Sequence, residues 1–366
     1  MQTAIPYLFM RGGTSRGPYF RRDHLPADRD RLADVLISVV GAGHPINIDG
    51  IGGGTAVTTK VAMLSPSDHP RADVDYFFAQ VAVNECLVDF KPSCGNILSA
   101  VGPAAIEMGL VETGDPETVI RIHAVNTGAL IEAVMQTPGG ELRYDGDAAI
   151  AGAPGTAAPI ALNFMDVVGS STGSLLPTGH LRDEIGGIEV TCMDVAMPIV
   201  IARAADLGLS GYESASDLDD DADFFARIEA IRIAAGDRMG MGDVTKSVIP
   251  KFAVLAPPRD GGAVAARYFM PWNCHPSMAV TGAQCLASAV LAPGTIADGI
   301  GARPDGNPTT VVIEHPSGTI EVTVDIDPDA GGFSLRSAGL VRTARLLARG
   351  DVMVPRHVWD GASDSA

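Results

Sequence analysis

The chain has 366 residues, 46% hydrophobic and 19% charged, with a net charge of −18. That is enough apolar material for two cores and too little charge for a disordered chain. The acidic balance excludes nucleic acid, which needs a basic face, and attachment to anionic lipid. Any anionic ligand must be held by local features such as helix N-termini and a few Lys or Arg. The five cysteines, Cys86, Cys94, Cys192, Cys274 and Cys285, form no C-x-x-C pair. The opening MQTAIPYLFMRGG has no secretory pattern. No apolar run approaches the ~18 residues of a membrane span. The expectation is a soluble, cytoplasmic protein with free thiols.

Taken in order, residues 4–10 read as a strand that enters the glycine loop RGGTS, and residues 18–20 resume extended chain. Residues 29–40 carry apolar side chains at helical spacing behind Asp28, a suitable N-cap. Residues 47–59 form a glycine-dense loop that leads into the buried-type strand KVAML at 60–64. Residues 73–83 alternate as a strand, and Ser93 opens a helix expected to run from Gly95 to about Met108. Segments 119–124 and 129–135 form a hairpin around Asn126-Thr127-Gly128. Residues 154–168 begin in turns and end in a strand. The polar, glycine-rich stretch 169–180 is the best linker, which divides the chain into domains 1–180 and 181–366, with the C-terminal segment free to pack back on the first.

In the second half, 188–202 read as a strand pair and 219–235 as a helix whose acidic start suits the helix dipole. A strand at 264–270, a helix at 276–290, a hairpin at 311–324 and short strands at 342–347 and 352–354 complete the chain. Two segment pairs look alike: KVAMLSP at Lys60 and KFAVLAP at Lys251, then CGNILSAVG at Cys94 and CHPSMAVTG at Cys274, so that Gly102 meets Gly282. Either chance or an internal duplication explains them.

Two residues stand out chemically. Cys94 sits just ahead of an expected helix, where free backbone N–H groups favour a negative sulfur. Gly95 allows close approach to the backbone, and Asn96 offers a side-chain amide. Together they make a carboxylate cradle with an acid/base thiol at its lip; the competing reading is an inert buried cysteine. Lys60 is the only charged residue between Asp49 and Asp68. Held off the surface, a lysine becomes a competent base; the alternative is a strand-end lysine that snorkels to water.

The hydroxyls of Thr14 and Ser15 beside Arg11 could bind a carboxylate, or the loop could be a plain hairpin turn. His275, Ser277 and Met278 precede the matching second helix, with Pro276 suited to its first turn, and are expected to bind substrate from there; a surface cap is the alternative. The G-x-S-x-G match at 169–173 lacks the strand-to-helix context of a nucleophile elbow, and GGGTAVTTK lacks the Gly before Lys and the Ser/Thr after it that a P-loop requires. The histidines show no zinc-like spacing, so no metal is expected.

MRGGTSRG, the DGIGG loop followed by a lysine, DVDYFFAQV, SCGN and CHPSMAVTGA occur in one order along the whole chain, most densely at 10–111. In these motifs the chain resembles the PrpF-type family of methylaconitate isomerases and 4-oxalomesaconate tautomerases, with NIDGIGG and DVDYFFAQV nearest the latter. The resemblance implies an α+β, diaminopimelate epimerase-like fold: two similar domains, each a curled sheet around a central helix, with the substrate in the cleft between them. It implies no metal, no coenzyme, and isomerisation of a small unsaturated di- or tricarboxylate by proton transfer. A homodimer is compatible with it.

The family's acid/base residues fall on Lys60 and Cys94, and its carboxylate-binding residues on Gly95 and Asn96. Gly53 and Gly54 of the loop motif are expected to bind substrate as well, and the opposing second-half helix begins near residues 275–278. The related racemases place a second catalytic cysteine beside Gly-Thr; here Cys274 is followed by His-Pro-Ser, which favours a Lys/Cys pair over two thiols. Methylaconitate or aconitate isomerisation, amino-acid racemisation and simple carboxylate binding are the rival readings.

Overall fold

The structure is a computed structural model that describes residues 1–150, 152–270, 272–327 and 332–361. The chain divides into two units, Met1–Asn163 with Val341–Ala366, and Phe164–Leu340.

The first unit opens with a hairpin of β1 (Gln2–Gly12) and β2 (Ser15–Arg21), in which Gly12 faces Ser15. Only Gly13 and Thr14 remain for the turn, and Gly13 takes the positive φ of 53° that such a short turn demands. Helix α1 (Arg29–Val40) follows, its first turn capped by the Asp28 carboxylate, which accepts from the Arg31 amide at 2.9 Å. Strand β3 (Lys60–Pro66) then runs parallel to β2, with Ala62 opposite Tyr19. β4 (Val74–Val81) pairs antiparallel to β3, with Gln80 opposite Lys60. After β5 (Val88–Asp89), α2 (Gly95–Leu98) and α3 (Val101–Glu107), β6 (Glu117–Ala124) joins β4 in parallel and forms a hairpin with β7 (Ala129–Gln136). β8 (Ile160–Met165) carries the chain out of this unit.

Strand alternation sorts the side chains between two faces. Val61, Met63, Ala79 and Val81 pack with Leu32, Val35, Leu36 and Val39 of α1. Lys60, Ala62, Leu64, Tyr76, Phe78 and Gln80 therefore point to the opposite face, where α2 and α3 lie. The expected single helix over 95–108 is broken at Ser99–Ala100. Pro103 has no N–H for the Ser99 carbonyl, and its ring would crowd that carbonyl in a continuous helix. The second piece can approach its sheet closely because Gly102 has no Cβ, which would lie 2.6 Å from the Met135 sulfur.

The second unit repeats this order. β9 (Asp183–Ile185), β10 (Ile188–Asp194) and β11 (Pro198–Arg203) are antiparallel neighbours. The expected helix over 219–235 is α5 (Ala222–Arg238), whose start is set three residues later by the Asp221 cap; the short α4 (Ala215–Asp219), capped by Ser214, precedes it. β12 (Lys251–Ala256) runs parallel to β11 and antiparallel to β13 (Val264–Phe269). α6 (Val280–Leu291) is buried along nearly its whole length, as its apolar composition on every side requires. β14 (Thr309–His315), parallel to β13, β15 (Gly318–Ile326) and β16 (Leu335–Arg342) complete the unit.

The sequence β11, α5, β12, β13, α6, β14, β15 thus has the pairing pattern of β2, α1, β3, β4, α2–α3, β6, β7. Each parallel join spans a helix, as parallel neighbours require. Lys60 and Lys251 open equivalent strands. The chain returns to the first unit in β17 (Ala344–Pro355), which pairs antiparallel with β1 from Gln2 to Gly12.

The expected boundary at 180 is displaced: the division falls between 163 and 164, and 341 onward belongs to the first unit. Residues 169–180 are not a linker. The Ser170 and Thr172 hydroxyls and the Ser171 and Thr172 amides all donate to the buried Asp194 carboxylate at 2.8–2.9 Å. A buried carboxylate needs such donors, and a polar, glycine-rich segment supplies them. No helix among the described residues is long and apolar enough to cross a membrane.

Candidate active site

Lys60 is the first residue of β3, half-buried on the face shared with α2. Its ammonium donates to Gln80 Oε1 at 2.6 Å and lies 5.3 Å from the centre of the Phe78 ring. Gln80 is itself held: its Nε2 donates to Thr59 Oγ1, the Ala56 carbonyl and the Val81 carbonyl, each at 3.2 Å. With its nitrogen so occupied, the amide can present only its oxygen to Lys60. Gly17 passes over Lys60 so closely that a Cβ would lie 1.8 Å from the lysine carbonyl oxygen. No larger residue fits there.

Cys94 is the N-cap of α2 and half-buried. The Tyr76 hydroxyl donates to its carbonyl at 3.3 Å, and the Tyr19 hydroxyl donates to the Ile97 carbonyl at 2.6 Å. Both phenols are fully buried. Burial first, and the neighbouring Cys94 second, push their pKa values well above the usual phenol range. They stay neutral donors and fix the position of the thiol's backbone. Tyr76 and Phe78 are neighbours on one strand face, with ring centroids 6.3 Å apart. A continuous path therefore runs from Lys60 over Phe78 and Tyr76 to Cys94. Of the other thiols, burial pushes Cys192 up to about 12 and Cys274 up to about 11, the form of inert core cysteines.

The β1–β2 turn is folded onto the start of α2. The Thr14 amide donates to Asn96 Oδ1 at 3.3 Å. A Cβ on Gly13 would sit 2.2 Å from that oxygen, and one on Gly12 would sit 2.4 Å from the Asn96 carbonyl. Among the described residues Asn96 Nδ2 donates to no acceptor, and Cys94 supplies no side-chain cap to the amides of α2. Ser15 is 3% exposed, and its hydroxyl has no hydrogen-bond partner. It lies on the same face of β2 as Tyr19, toward α2. Because α2 has only four residues, local N–H groups rather than a long helix dipole would attract an anion here.

Four expected ligand residues have other work. Arg11 Nη1 donates to the Gly13 carbonyl at 2.9 Å, to the Thr343 carbonyl at 3.2 Å and to Thr343 Oγ1 at 3.0 Å, so this arginine braces the turn. Burial, then Arg345, lowers its pKa. The Gly54 amide donates to Asn47 Oδ1 at 2.7 Å, and Gly53 abuts Thr58 and Arg16; both shape their own loop. Met278 is 6% exposed and packs into the core of the second unit.

His275 and Ser277 precede α6 rather than starting it. Ala279 is the N-cap, and His275 is drawn into the sheet by its amide bond to the Tyr268 carbonyl at 2.7 Å. Its Nδ1 accepts from the Ser277 amide at 3.0 Å, and burial lowers its pKa, so the neutral ring carries its proton on Nε2. Gln80, Tyr19, Tyr76 and Phe78 escaped the sequence reading. The available signal was Gln80, a lone polar residue in register with Tyr76 and Phe78 on an otherwise apolar strand face.

The PrpF family model, described as PrpF protein, matches residues 2–355. A 4-oxalomesaconate tautomerase of Pseudomonas putida is 46% identical over 98% of this chain and 99% of its own. A (4E)-oxalomesaconate Delta-isomerase of Novosphingobium sp. is 48% identical over 96% and 98%. The crystal structure of a methylitaconate-delta-isomerase aligns with a TM-score of 0.89 at 34% identity, covering 100% of this chain and 99% of that one. A hydroxyproline epimerase from Agrobacterium vitis, at 14% identity and a TM-score of 0.50, shares the fold alone. The chain belongs to the PrpF family, and it is an isomerase with the α+β, diaminopimelate epimerase-like fold.

Proposed function

We propose that this isomerase is a 4-oxalomesaconate tautomerase acting in the breakdown of gallate- or protocatechuate-type aromatics. The observation that carries the reading is the run of contacts from Lys60 over Phe78 and Tyr76 to the Cys94 backbone, beside Asn96, whose Nδ2 meets no acceptor among the described residues. The similarity to two named oxalomesaconate isomerases over nearly the full chain supports the substrate.

The reacting C–H of 4-oxalomesaconate lies beside a ketone and is conjugated with carboxylates. One member of the Lys60/Cys94 pair takes that proton. The electron pair of the broken C–H bond spreads into a dienolate, and the other member delivers a proton to the far end. One proton and one double bond move, with no net change of electrons. Asn96 Nδ2, the Ser15 hydroxyl and the first amides of α2 are the donors available to the dienolate and its carboxylates.

Lys60→Ala and Cys94→Ser should each lower kcat by ~10²–10⁴-fold with melting temperature retained. Near-normal turnover by either variant rejects the mechanism. In deuterated water, the variant that lacks only the acid still exchanges the substrate's acidic C–H proton without isomerising it, which assigns the base. Activity on methylaconitate or methylitaconate with none on 4-oxalomesaconate would move the substrate and keep the chemistry.

A further inference from the structure

Arg342 ends β16, on the strand face it shares with the buried Ala338 and Leu340. Burial alone pushes its guanidinium down to about 10. Among the described residues its one hydrogen bond runs from Nη1 to the Val341 carbonyl at 3.0 Å, and no carboxylate pairs with it. The fully buried arginines, by contrast, have their partners. Arg232 has Glu229 at 2.7 Å and two carbonyls, and Arg267 has the Glu213 and Ala266 carbonyls. A half-buried guanidinium with five donors and one protein acceptor keeps a free fork that a carboxylate can fill.

Its place in the fold says which anion. The next residue, Thr343, accepts from the Gly13 amide at 2.9 Å and from Arg11. Gly13 in turn abuts Asn96. Arg342 is thus anchored at the turn that closes over the start of α2. We propose that Arg342 seats one carboxylate of the di- or tricarboxylate substrate beside Asn96, as the substrate's principal cation. This rests on the reading of the protein as a polycarboxylate isomerase. In a chain of net charge −18 it supplies a local positive fork for a polyanion.

The test compares wild type, Arg342→Gln and Arg342→Lys in two measurements: steady-state kinetics on 4-oxalomesaconate, and thermal melts with tricarballylate, a saturated tricarboxylate that cannot isomerise. The Gln variant should show KM raised about ten- to a hundredfold, with kcat changed less. The Lys variant should recover part of that loss. Tricarballylate should raise the melting temperature of wild type but not of Arg342→Gln. A lower unliganded melting temperature with KM and the tricarballylate shift intact would make Arg342 purely structural and overturn the proposal. Wild type inert toward 4-oxalomesaconate, with the shift still dependent on Arg342, would sink the substrate and leave Arg342 its role. Wild type active, with KM unchanged in Arg342→Gln, would do the reverse. A wild type that neither reacts nor shifts would overturn both.

Discussion

Lys60 owes its geometry to Gln80 as much as to its own position. The amide oxygen receives the ammonium, and three further bonds keep that amide from turning. Gln80→Leu removes the acceptor and leaves the strand pairing intact. Turnover should fall by about 10²-fold through misplacement of the amine, with KM little changed. Gln80→Glu, which keeps an oxygen toward Lys60, should recover part of kcat and alter the pH–rate profile. A merely structural Gln80 would move the melting temperature and leave that profile alone. Arg11 teaches the opposite lesson: a conspicuous cation in a glycine loop is committed to the Gly13 and Thr343 carbonyls, while the inconspicuous Arg342 is left with one.

At the scale of elements, the two faces of the β2–β3–β4 sheet have separate tasks. α1 covers the face of Val61 and Met63, and Lys60, Tyr76, Phe78 and Gln80 lie on the other. Damage to α1 should therefore register as stability and not as chemistry. Asp28→Ala removes the cap on the Arg31 amide and should cost about 1 kcal/mol. A lower denaturation midpoint with unchanged kcat and KM is the expected outcome, measured by urea unfolding and steady-state assay. The broken helix over 95–108 is the matching case on the active face. Pro103 stops α3 from running back into α2. Cys94 therefore stands at the N-cap of a single short turn, and its neighbours Gly95 and Asn96 carry the free amides of a helix start.

For the whole molecule, the loss of stability in acid has a traceable source in the second unit. The buried Glu314 accepts from the Arg259, Asp260 and Gly262 amides at 2.7–2.9 Å and from the Tyr212 hydroxyl. Although burial acts to raise its pKa, these donors outweigh it and hold the carboxyl at about 2 against an ordinary 4.5. A depressed pKa means stability that is fully present above the ordinary value and drains away as pH falls through the folded one. Glu314→Gln should lower stability at neutral pH and flatten the loss between about pH 4.5 and 2, as read from melting temperature against pH.

Much of this was written locally. The strand KVAML, the Asp28-capped helix and the 119–135 hairpin follow from periodicity and capping, which are properties of neighbouring residues. The paired segments at Lys60 and Lys251 proved to open equivalent strands of a repeated pattern. Family motifs brought Lys60, Cys94 and Asn96 forward together. What no local rule could supply was long-range pairing. Gln80 meets Lys60 only through strand register, Thr343 meets Arg11 only because β17 returns beside β1, and Asp194 turns an apparent linker into a bound loop. Periodicity decides which face of an element is buried. Which distant polar group then satisfies another depends on the burial of both, and only the tertiary structure determines that.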